Sequence, residues 1–85
     1  MLEQFRANVP AVLAESGCIE YAPAIDAEGG PSSMAPLGPD SFAVIEKWRD
    51  AAALEAHARA PHMLAYGARV KDMVAGRVIH VLSPA

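Results

Sequence analysis

The sequence predicts an α+β fold, and three observations carry that expectation. The first 16 residues hold an apolar stripe at helical spacing, two short runs (CIEYAPAI and SFAVIEKW) alternate as strands do, and a helix pair broken at Pro61 leads to the β-branched run RVIHVL. With 85 residues the chain is one domain, residues 1–85. A domain this small buries only about 60–65% of the surface its unfolded chain exposes. Hydrophobic residues make up 53% of the sequence against 20% charged, more apolar side chain than one small interior can hide. A homo-oligomer is therefore expected.

The elements follow in order. Leu2, Phe5, Val9, Val12 and Leu13 recur at steps of three and four, with Glu3, Gln4, Arg6 and Glu15 between them, so residues 1–16 read as a helix with one buried stripe. Pro10 has no N–H to give the Arg6 carbonyl, which predicts a kink there or a restart capped by Asn8. Gly17 closes the helix as a residue free to take positive φ. A strand over 18–25 follows, with Ile19, Tyr21 and Ile25 alternating, and Pro23 points to a sheet edge or a bulge. Residues 26–40, DAEGGPSSMAPLGPD, have no period and read as a long loop.

The second strand, 41–48, carries Phe42, Val44, Glu46 and Trp48 on one face and Ala43, Ile45 and Lys47 on the other. Both faces are largely apolar, so helices should cover one and the sheet of a second subunit the other. Asp50 is placed to cap a helix running to about Ala60. Pro61 ends that helix and starts the next, whose stripe is Met63, Tyr66, Val70 and Met73, ending at Gly76. Arg77–Leu82 is expected to be a final strand. Helix, strand, loop, strand, helix pair, strand is a split βαβ, ferredoxin-like order without its first strand. The expectation is either that the start is assigned too late, or that the first strand is lost and another subunit covers the sheet edge.

Composition narrows the partners. A net charge of −3 with no basic cluster offers nothing to neutralise a row of phosphates, so no nucleic acid is expected. No apolar run nears the roughly 20 residues that span a bilayer, so no membrane insertion is expected either. Cys18 is the single cysteine and has no internal partner, which points to a reducing, cytoplasmic setting. No Ser/His/Asp arrangement, glycine-rich phosphate loop, dinucleotide fingerprint or flavin motif occurs, so no nucleotide cofactor is expected.

Proton-handling groups concentrate between Glu46 and Tyr66 beside apolar surface. His57 and His62 are five apart across Pro61, which is not the spacing that puts two ligands on one helix face, and no metal is expected. His62 and Tyr66 are one turn apart and can face one cavity. An imidazole, with an ordinary pKa of about 6.5, suits proton removal from a phenol at neutral pH; the bland alternative is that both histidines face solvent or cap a helix. Glu46 is either a marginal or ion-paired carboxylate or a titratable group in a pocket. Tyr21 and His80 read as core or interface residues with polar tips, and Cys18 as a small buried hydrophobe.

The segments ESGCIEY, FAVIEKWRD and LEAHARAPHMLAY resemble, in order and spacing, the landmarks of the antibiotic-biosynthesis-monooxygenase superfamily: E-x-G-C-x-x-Y, then E-x-W, then A-x-H-x-x-x-P-H. Within it, LEQF, VPAVL, YAPAID, SSMAP and PHMLAYGARVKD resemble the bacterial quinol monooxygenases that act on menadiol. The resemblance implies a homodimeric α/β barrel of ferredoxin-like halves, and oxidation of a hydroquinone-like aromatic by O₂ with no metal, flavin or haem. It also implies site roles. His57 or His62 would be the base, Tyr66 and Glu46 would orient the hydroxyls, and Trp48 and Met63, with Tyr21 and Phe42, would line the pocket. Haem-degrading relatives carry a histidine ligand where this chain has Gly67, which speaks against haem degradation. Two other readings stand beside the first: a relative processing a phosphorylated signalling sugar (autoinducer-2 phosphate), with Arg69, Lys71 and Arg77 as its only nearby cations, and a non-catalytic dimeric binding or stress module.

Overall fold

In the computed structural model, which describes residues 1–85, the helical stripe at the start becomes α1 (Leu2–Leu13). Phe5, Asn8 and Val12 are its buried face. The helix runs unbroken through Pro10, so the expected kink or Asn8-capped restart does not occur. Arg6 and Pro10 both lie on the solvent side, where water can satisfy the carbonyl that proline leaves unpaired. Asn8, not used as a cap, instead donates Nδ2–H to Met63 Sδ at 3.2 Å.

Strands β1 (Cys18–Ala24) and β2 (Ala43–Trp48) form a two-stranded antiparallel sheet, with Tyr21 opposite Glu46 and Pro23 opposite Val44. Each strand has one free edge, which accommodates the N–H that Pro23 lacks. The register slips between Cys18 and Glu20 rather than at Pro23, and the extra residue, Ile19, is turned outward. Residues 26–40 form the expected loop, tied across its base by Asp26, whose carboxylate accepts from the Leu37 and Gly38 N–H groups at 2.8 and 2.9 Å. Those two donors hold the Asp26 carboxyl below its ordinary range.

Asp50 caps α2 (Ala51–Arg59), its Oδ1 accepting from the Ala53 N–H at 2.9 Å. That N–H, and then the Arg49 side chain, hold the Asp50 carboxyl low as well. Pro61 sits at the first position of α3 (Pro61–Val70). The stripe Met63, Tyr66, Val70 packs inward, but the helix stops before Met73, which is half exposed. Phe5 is the centre of the core: its ring stacks on Tyr21 with centroids 5.1 Å apart and meets Phe42 and Tyr66 edge-on at 5.5 and 6.2 Å. Val12 and Val70 complete that cluster.

The expected strand at Arg77–Leu82 does not form. A β-branched run favours an extended backbone, but a strand exists only where a ladder partner stands beside it. No segment of this chain pairs with 77–82, and Val78, Ile79, Val81 and Leu82 are exposed. The outer-face residue Ile45 is exposed too. Three helices and a two-stranded antiparallel sheet make an α+β architecture consistent with a ferredoxin-like half.

Gly17 joins the two ends of this arrangement. It takes φ +85°, and a Cβ placed on it would stand 2.6 Å from the Ala53 Cβ. Its carbonyl accepts from the Arg49 N–H at 2.8 Å, which pins the end of α1 against the start of α2. Gly17→Ala should combine backbone strain with a clash and lower unfolding stability by about 2–4 kcal/mol. A urea midpoint equal to that of the parent chain would contradict this packing.

Candidate active site

Glu15 lies three residues beyond Val12, so it continues the buried face of α1 past the end of the helix. Its side chain is 13% exposed, and one oxygen, Oε2, is 2.8 Å from His57 Nδ1 and 2.8 Å from His62 Nε2. A carboxylate this sheltered needs partners that offset its lost hydration, and two imidazoles supply them. The three residues come from the tail of α1, from α2 and from α3. The Gly17–Ala53 approach sets this geometry, because Glu15 is two residues before Gly17 and His57 is one helical turn after Ala53.

His57 is buried, with a side chain only 7% exposed. The Trp48 ring is 4.6 Å from it, centre to centre, and the Tyr21 ring 5.5 Å. Its Nε2 lies 4.0 Å from Glu46 Oε1, and the same oxygen accepts the Trp48 indole N–H at 2.8 Å. Glu46 is therefore neither simply marginal nor free: it holds the indole in place beside the imidazole. The expectation that His57 faces solvent or caps a helix does not describe this environment.

These groups border an open trough of about 2080 Å³ lined by β2, α2, α3 and the C-terminal segment. Of the residues singled out from sequence, His57, Tyr66, Glu46, Trp48, Met63, Tyr21 and Phe42 line it, and His62 does not. His62 reaches Glu15 from outside with its side chain 30% exposed, so it does not share a cavity with Tyr66 as the one-turn spacing suggested. Such a space exceeds the roughly 300–1,000 Å³ of an ordinary ligand site, so a small aromatic would fill only part of it. Lys71 and Arg77 also border the trough, and the Arg69 guanidinium lies 5.9 Å from the centre of the Tyr66 ring.

Burial, with a smaller contribution from the Glu46 charge, pushes the Tyr21 phenol well above its ordinary range. Burial raises Tyr66 as well, opposed by Arg69 and Arg77. Both phenols stay neutral and can donate hydrogen bonds. Burial, then Glu15 and Glu46, push the Cys18 thiol up, so it is no thiolate nucleophile. No group of three or more His, Cys, Asp or Glu side chains converges as a metal would require.

Comparison with known proteins agrees with this architecture. Residues 1–69 match the family model of the antibiotic biosynthesis monooxygenases. The chain is 45% identical over 84 residues to a protein named probable quinol monooxygenase YgiN in Escherichia coli K12, an alignment covering 99% of this chain and 80% of that one. The same figures hold for the proteins of that name in Escherichia coli O157:H7 and Shigella flexneri. The crystal structure of PA3566 from Pseudomonas aeruginosa superposes with a TM-score of 0.59 at 33% identity, covering 82% of this chain. This chain spans 62% of that protein's length. The chain belongs to the antibiotic biosynthesis monooxygenase family.

The buried phenols give a pH test. The unfolded chain ionises a tyrosine near pH 10, whereas the folded chain holds Tyr21 neutral beyond that. Its contribution to stability is thus fully present below about pH 10 and lost as pH rises past that value. Tyr21→Phe should flatten the alkaline fall in urea midpoint between about pH 9 and 11; an unchanged fall would show that Tyr21 ionises as freely folded as unfolded.

Proposed function

We propose that the chain is a monooxygenase that oxidises a hydroquinone- or naphthoquinol-like aromatic with O₂, without metal, flavin or haem, and acts as a homodimeric α/β barrel. The observation that carries the reading is the buried His57 imidazole, backed by a carboxylate and bordered by Trp48 and Tyr21 at the wall of an apolar trough. The family match and the name that the relatives bear support the same class of chemistry.

The steps follow from these groups. An apolar ring enters between Trp48, Phe42 and Met63, which exclude water. His57, the histidine that borders the trough, takes a proton from a ring hydroxyl, while Tyr66 and Glu46 orient the hydroxyls. The quinolate is electron-rich enough to pass one electron to O₂, giving a semiquinone and superoxide. Their recombination at a ring carbon forms a C–O bond, and loss of water from the hydroperoxide leaves a hydroxyquinone. One quinol and one O₂ thus give one hydroxyquinone and one water.

The homodimer rests on exposed apolar surface. Val78 is 81% and Leu82 85% exposed, and Ile45 on β2 is exposed too, more apolar surface than a lone small domain ordinarily leaves in water. Lys71 and Arg77 on the trough favour one second reading, an anionic phosphorylated-sugar substrate, whose binding would weaken steeply with salt.

Oxygen uptake with menadiol should exceed the uncatalysed rate, with label from ¹⁸O₂ appearing in the product. His57→Ala should lower kcat/KM by about 10²-fold or more. Uptake no faster than without protein sinks the reading, and tight binding of the ring without uptake favours a binding module. Sedimentation equilibrium should give twice the 8.9 kDa chain mass, and a monomer mass would remove the barrel.

A further inference from the structure

Glu15 is given no chemical role by the sequence-level reading, yet its geometry says which nitrogen can take a proton. At neutral pH an ionised carboxylate only accepts hydrogen bonds, so a ring nitrogen 2.8 Å from Glu15 Oε2 must present its N–H. A neutral imidazole has one N–H and one lone pair. Because Glu15 meets His57 through Nδ1 and His62 through Nε2, it holds the two rings in opposite tautomers. His57 keeps its lone pair on Nε2, which faces Glu46 Oε1 at 4.0 Å on the trough wall. His62 keeps its lone pair on Nδ1, and that side chain does not border the trough.

We propose that Glu15 is a positioning residue that fixes His57 as the Nδ1–H tautomer, making His57 Nε2 the proton acceptor for the quinol hydroxyl. The assignment rests on the quinol-oxidation reading for its substrate, but the tautomer stands on the geometry alone. In the step it describes, the hydroxyl O–H bond breaks and the proton moves to Nε2. The quinolate keeps the electron pair, and the ring becomes an imidazolium whose Nδ1–H still donates to Glu15. An imidazole released from Glu15 is free to adopt the Nε2–H tautomer, which has no lone pair facing the trough. The second histidine shares the same carboxylate oxygen and so makes its orientation doubly determined.

Two readouts test this in the intact chain. Long-range ¹H–¹⁵N spectra of histidine-labelled protein should show His57 as Nδ1–H and His62 as Nε2–H. Glu15→Ala should release His57 from that tautomer and lower kcat for menadiol by about 10- to 100-fold with KM little changed. Glu15→Gln, isosteric and still able to accept with its amide oxygen, should retain the Nδ1–H tautomer and most of the turnover. That variant keeps the test alive if the alanine variant fails to fold. His57 found as Nε2–H in the parent chain, or parental kcat in folded Glu15→Ala, overturns the proposal. If the parent oxidises no quinol, the functional reading fails, and the spectra alone still decide what Glu15 does.

Discussion

Everything at this site depends on one carboxylate oxygen shared by two imidazoles. Glu15 lies past the end of α1, His57 is on α2 and His62 on α3, so the contact closes all three helical segments around a single point. Hydrogen bonds to an ionised group contribute about 1.5–3 kcal/mol each, and losing them would leave a sheltered charge without partners. On a straight helix, residues five apart differ in direction by about 140° and could not reach one oxygen. The helix break at Ala60–Pro61 removes that restriction by starting a new helix between the two histidines. Gly17 supplies the other half of the geometry by letting α1 and α2 approach without an intervening side chain.

Around that point the protein separates its polar groups by protonation state. Tyr21 and Tyr66 are held neutral by burial, and the Cys18 thiol is pushed up by burial and by the two nearby carboxylates. Phe5 joins both phenols to the core by stacking and edge contacts, so the site's aromatic wall and the fold's interior are one continuous layer. Glu46 is engaged by the Trp48 indole, which fixes the largest ring of the wall. A substrate that is itself apolar and weakly acidic matches such a site better than one that brings several charges.

Much of the fold was legible in local pattern. The Asp50 cap, the Pro61 restart, the two alternating strands and the long loop are set by residues a few positions apart, and such signals survive in one dimension. Pro10 was misread because the cost of a missing N–H depends on whether the orphaned carbonyl meets water, which periodicity does not say. Arg77–Leu82 was misread because strand formation depends on a partner. Seven of the residues to which the family resemblance gives a role border the trough, while His62 was placed there on helical spacing that the break at Pro61 does not honour. Glu15 was the real omission. Its acidic side chain looked like solvent face, although the steps Phe5, Asn8, Val12, Glu15 and the start of the ESGCIEY segment both pointed inward.

The central claim is that His57, held by Glu15, presents a basic nitrogen to an aromatic ring bound on the trough wall. A crystal structure with menadione, the oxidised form of the proposed substrate class, tests it most directly. The account predicts the ring packed against Trp48 with one oxygen within hydrogen-bonding distance of His57 Nε2, and His57 Nδ1 still on Glu15. A ring bound away from His57, against Lys71 and Arg77 or on the surface of the C-terminal segment, would contradict it.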